Sequence, residues 1–133
     1  MSDKDDKLSN FDKGMIIRRK VLGDAHVDKT IREKDGFDDD FQSFITEGAW
    51  GSVWAREGVL SLRDRSLLTL TLLAAAGHDQ EFEMHIRATK NTGATKQEVK
   101  ETLMHLGVYI GVPVANHFIK IAKKVYSEME EGK

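Results

Sequence analysis

The chain has 133 residues, 40% apolar and 32% charged, with 20 basic and 22 acidic side chains and a formal charge of −2. That length fits one domain, residues 1–133, with one modest core. The near-neutral charge favours neither nucleic acid nor a membrane surface as partner. The absence of cysteine removes disulfides, thiolate metal sites and thiol chemistry together.

The polar start, MSDKDDKLSN, does not read as a signal peptide. No apolar run approaches the roughly 20 residues of a membrane span. A cytoplasmic protein is the expectation. Residues 1–10 are expected to be flexible. Phe11, Met15 and Leu22 share one face of a helix near 8–22, which Gly23 ends. GDAHVDKT, 23–30, reads as a loop. Phe37, Phe41, Phe44 and Ile45 mark a helix over 37–48. GAWGSVWAREG, 48–58, places glycines around Trp50 and Trp54 and reads as an irregular connection.

Ser61 with Asp64 is a capping box opening a helix over 62–76, LRDRSLLTLTLLAAA. Beyond Arg65 that helix is apolar nearly all round. It demands burial on every side, which a monomer of this size supplies poorly and subunit contacts can supply. Gly77 closes it, Asp79 can cap a helix over 80–92, and Gly93 ends that one. Thr95 with Glu98 is a second capping box. The helix it opens carries Val99, Leu103, Leu106 and Ile110 on one face. Gly111 breaks it, and Pro113 suits the first turn of a last helix with a stripe of Val114, Phe118, Ile121, Val125 and Met129. The reading is an all-α domain of about six helices.

HDQEFEMH, 78–85, carries the most chemistry. On one helix His78, Glu81 and His85 stand at i, i+3 and i+7 and share a face. Two imidazoles and a carboxylate can hold a metal, although the zincin order of His and Glu is absent. Glu81 and His85 can equally be an acid–base pair, or part of a solvated face. Arg18 and Arg19 are adjacent, so helical geometry turns at most one of them toward any one site. Arg65 sits in the first turn of the most apolar helix, where a charge calls for a carboxylate partner on protein or ligand. His105 follows Glu101 by four, a spacing for an exposed pair. His117 and Asn116 belong to a surface or a cavity wall.

Five stretches together resemble the 4-carboxymuconolactone decarboxylase family: GMIIRRKVLGDAHVD (14–28), AWGSVW (49–54), RSLLTL (65–70), HIRATKNTG (85–93) and YIGVPVAN (109–116). The resemblance runs from Phe11 to Glu128, and RRKVLGDAHVD is its specific part. The wider alkylhydroperoxidase-D-like superfamily carries C-x-x-C-x-x-x-H. Laid on this sequence, its cysteines fall at His78 and Glu81 and its histidine at His85. The glutamate of that superfamily's proton relay falls at Ser66. The triplet therefore resembles an active-site frame whose thiols have been replaced, and a disulfide-cycling peroxidase is excluded.

The resemblance implies an all-α fold assembled as trimers or hexamers. It also implies cofactor-free, metal-free loss of CO2 from 4-carboxymuconolactone, giving the β-ketoadipate enol-lactone in protocatechuate breakdown. For that reaction His85 and Glu81 are the expected catalytic pair. Arg65 with Arg18 or Arg19 is expected to bind carboxylates. His26, Trp50, Trp54 and Asn116 are expected pocket walls, with plain core packing equally open for each tryptophan. Two alternatives stay beside this reading: an enzyme of the same fold acting on another lactone or carboxylated substrate, and a non-catalytic or stress-related oligomer.

Overall fold

The computed structural model describes residues 7–132. It holds seven α-helices and one π-helical segment, with no strand among the described residues. The chain divides at Ser61/Leu62 into two compact units.

The first unit contains α1 (Asn10–Leu22), α2 (Asp24–Glu33), α3 (Asp39–Ile45) and a π-helix (Thr46–Trp54). Of the first ten residues, 1–6 lie outside those described. Ser9 caps α1, its hydroxyl accepting from the Asp12 amide at 3.1 Å. The face of α1 that is buried is Gly14, Ile17, Arg18 and Val21, one step round from the stripe read from Phe11 and Met15.

Gly14 and Gly51 explain how α1 meets the π-helix. A Cβ on Gly14 would overlap the Thr46 carbonyl oxygen, and one on Gly51 the Asn10 carbonyl oxygen. Only hydrogen at both positions lets the two backbones touch.

Two expectations are corrected in this unit. The stretch 23–30 is not a loop, because α2 spans most of it. It buries only Val27, so it carries no repeating apolar stripe to betray a helix. The stretch 48–58 is irregular only after Trp54, because the helix continues to that residue in π geometry. The Ala55 amide donates to the Trp50 carbonyl five residues back, at 2.8 Å. The helix expected over 37–48 begins at Asp39, and Phe37, Phe41 and Phe44 are exposed.

The second unit contains α4 (Leu62–Ala76), α5 (Asp79–Thr92), α6 (Lys96–Tyr109) and α7 (Val112–Glu130). Leu70, Phe82, Ile86, Val99, Leu103, Phe118 and Val125 form its core, with the Phe82 and Phe118 rings edge to face at 4.8 Å. Ion pairs tie the helices outside that core: Arg63 of α4 with Glu98 of α6, and Arg87 of α5 with Glu128 of α7.

Local chemistry sets the breaks. At the end of α4 the Gly77 amide donates to the Ala74 carbonyl at 3.1 Å and the His78 amide to the Leu73 carbonyl at 2.9 Å. This is a Schellman closure, with Gly77 at φ 79°. Asp79 is not the cap of α5 as expected, because His78 occupies that position and Asp79 is already helical. Thr95 and Glu98 form the expected capping box, and Pro113 lies in the first turn of α7. Within one chain α4 is covered on one face only. It buries Ser66, Leu70 and Ala74 but leaves Leu68 and Leu72 exposed.

No helix is long and apolar enough to cross a membrane among the described residues.

Candidate active site

In the first unit the two adjacent arginines diverge. Arg19 is on the outside of α1, its guanidinium 3.0 Å from Asp24 and 2.9 Å from Asp28. Those two carboxylates raise its pKa. Arg18 points inward and is 6% exposed. Its two terminal nitrogens donate to the Thr46 hydroxyl at 3.1 Å and the Gln42 side-chain oxygen at 3.0 Å. Both acceptors are neutral. Its Nε has no hydrogen-bond partner, and it makes no ion pair among the described residues. Burial lowers its pKa, the sign expected for a cation taken out of water without a carboxylate. An arginine stays charged regardless.

His26 stands near this charge. Its surface is largely open, but enough protein surrounds the ring for desolvation to lower its pKa, helped by the Arg18 and Lys29 charges. At neutral pH the imidazole is therefore uncharged. Trp50 and Trp54 are buried with ring centroids 4.9 Å apart.

In the second unit the three residues of the 78–85 stretch part company. The His78 side chain is exposed at the junction of α4 and α5, where its backbone serves both helices. Glu81 is exposed. His85 is 6% exposed, on the face of α5 that also buries Phe82, Ile86, Ala88 and Thr89. Among the described residues no three His, Asp or Glu side chains are placed to hold a metal ion.

Arg65 is half-buried and Asn116 exposed. His117 pairs through Nε2 with Asp79 at 2.9 Å, and both are exposed. They border a cavity of about 450 Å³ lined also by Ala74, Pro113 and Phe118.

Two residues that the sequence did not single out matter here. Gln42 and Thr46 hold Arg18, and their i, i+4 spacing on adjoining helical turns was the only available signal. Ser66, the relay position in the resemblance, is fully buried with no hydrogen-bond partner for its hydroxyl among the described residues.

Residues 39–124 match the Carboxymuconolactone decarboxylase family. The chain belongs to that family. Among its relatives is the 4-carboxymuconolactone decarboxylase of Acinetobacter baylyi, 40% identical over 90% of this chain and 88% of that protein. The nitrosuccinic acid decarboxylase of Metarhizium robertsii is 37% identical over 90% of this chain and 82% of that protein. A 4-carboxymuconolactone decarboxylase of Pseudomonas putida is 46% identical over 35% of this chain. The match to the carboxymuconolactone decarboxylase family takes in α3, Trp50, Trp54, Arg65, Glu81, His85 and Asn116. Arg18, Arg19 and His26 precede it.

Proposed function

We propose that this protein is a carboxy-lyase that removes CO2 from 4-carboxymuconolactone and releases the β-ketoadipate enol-lactone. The observation that carries the reading is Arg18. A buried guanidinium held only by neutral oxygens is costly unless an anion completes it. A carboxylate is the anion whose geometry fits the arginine fork. The substrate is dianionic, and an enzyme for it needs such a clamp. The relatives with decarboxylase names, spanning nearly the whole chain, support the same reading.

The chemistry follows from the substrate. Its departing carboxylate is on the ring carbon next to the lactone oxygen. When that C–C bond breaks, the electron pair flows through the ring double bond to the lactone carbonyl and gives a dienolate. A proton delivered to the carbon beside the carbonyl then yields the enol-lactone. The unsaturated lactone is its own electron sink, so the protein must stabilise an oxyanion and supply one proton. His85 is the proton or hydrogen-bond donor in this reading, by its burial and its match to the superfamily histidine. Glu81, exposed, replenishes the proton. Arg65 of the second unit is a further arginine fork for a carboxylate, and His26 stands near the Arg18 charge in the first unit. Trp50 and Trp54 act through packing against each other, and Arg19 through its aspartate pairs. The exposed Leu68 and Leu72 are covered in a homo-oligomer, a trimer or hexamer, in the cytoplasm.

The second relative favours one other reading. Nitrosuccinic acid, by its name, is also a dicarboxylic acid with an electron-withdrawing group to receive the charge left by CO2. A family member acting on such a substrate would need the same clamp.

The test is turnover of 4-carboxymuconolactone, generated in situ and followed by CO2 and enol-lactone, with nitrosuccinate run in parallel. Wild-type protein is expected to turn over the lactone, with or without chelator. Arg18→Met is expected to raise KM by about tenfold or more, the worth of one charge-assisted contact. Its Tm should hold, because the change removes a buried charge. Turnover of nitrosuccinate alone selects the second reading. No turnover of either by folded protein removes both.

A further inference from the structure

Two surfaces of opposite character stand without a partner. The first is the end of the first unit around α3. Phe37, Phe41 and Phe44 are 98%, 58% and 67% exposed, and the Phe41 and Phe44 rings stack at 6.4 Å. Phe41 and Phe44 stand at i and i+3 on α3 and share a face, and Phe37 lies in the turn just before it. From Asp35 to Glu47 every charged residue is acidic. Asp35 and Asp38 are occupied with local backbone amides, whereas Asp39 and Asp40 make no ion pair among the described residues.

The second is a groove of about 860 Å³ between α6 and α7 in the second unit. Its floor is apolar, with Val99, Leu103, Met104 and Ile119. Lys96, Lys100 and Lys123 rim it against a single carboxylate, Glu130. Lys96 is engaged with Glu130 at 3.1 Å and lies over the Tyr126 ring. Lys100 and Lys123 make no ion pair among the described residues. An exposed acidic aromatic ridge and an open basic apolar groove on one chain are complementary in both shape class and charge.

We infer that the α3 ridge of one copy docks in the α6–α7 groove of a second copy, phenylalanines on the groove floor and Asp39 and Asp40 against Lys100 and Lys123. The contact joins two different patches, so repetition from copy to copy closes a ring or runs on as a filament.

Because the chain has no cysteine, disulfide trapping reads this contact cleanly. Phe41→Cys and Met104→Cys are made as separate proteins, mixed and oxidised. Both positions are exposed, so both variants should fold. The expected product is a disulfide between the two different chains, identified by mass spectrometry of the linked peptides. Lys100→Glu with Lys123→Glu on the Met104→Cys chain should cut its yield by about tenfold or more. Adding Asp39→Lys and Asp40→Lys to the Phe41→Cys chain should restore it. The proposal is overturned by a wild-type chain that sediments as a monomer at tens of micromolar. It is also overturned if the mixed disulfide is absent, or if its yield ignores both charge reversals. Any of these leaves the groove to a different occupant.

Discussion

At the scale of single residues, burial separates groups that sequence treats alike. Arg18 and Arg19 have the same chemistry and adjacent positions. One is 6% exposed between neutral acceptors, and the other bridges two aspartates at the surface. The same holds for His78 and His85, of which only the second is buried. If His85 donates to the reacting lactone, His85→Gln should lower kcat by about 10²–10⁴ while circular dichroism and Tm stay near wild type. Near-normal kcat in a folded His85→Gln protein removes the assignment. The sequence pointed to His85 and Arg18 because their types and spacing carry the chemistry. It could not point to Gln42 or Thr46. A neutral side chain gains a role only from the group folded against it.

At the scale of elements, regular patterns were legible and crowded backbones were not. The stripe of α7, the Gly77 break and the Thr95–Glu98 box are local and repeat in sequence, so they could be read directly. The short α2 has one buried residue and offers no period to detect. The π-helix has no sequence rule, because its extra residue per turn is imposed by what it packs on. Gly14 and Gly51 record that packing. Gly14→Ala should destabilise the protein by about 1–3 kcal/mol through overpacking. Gly48→Ala meets no atom within 4 Å and should be neutral or slightly stabilising. Urea midpoints for the two variants would settle the contrast, and equal midpoints would contradict the close backbone contact.

At the scale of the whole molecule, folding stability should carry the mark of Glu98. Its carboxyl is held down at about 2, first by the Arg63 guanidinium and then by the Thr95 amide. The unfolded carboxyl titrates near 4.5, so between those values the unfolded chain binds the extra proton. Stability therefore falls as pH drops from about 4.5 toward 2, and the contribution is complete above that window. Glu98→Gln keeps the capping geometry and should flatten the acid limb of a urea-midpoint against pH curve. An unchanged acid limb would mean that the pair is too solvated to matter.

The contact between α1 and the π-helix has a further meaning. Most packing in a protein is made by side chains, and mutation can retune it in small steps. Where peptide groups themselves touch, at Gly14 and Gly51, no intermediate size exists between hydrogen and a clash. Arg18 lies one turn beyond Gly14 on α1, so its depth is set by a part of the chain that heredity cannot adjust gradually. Descendants of this sequence can shift what surrounds the guanidinium, but the distance to which it is sunk is inherited whole or lost.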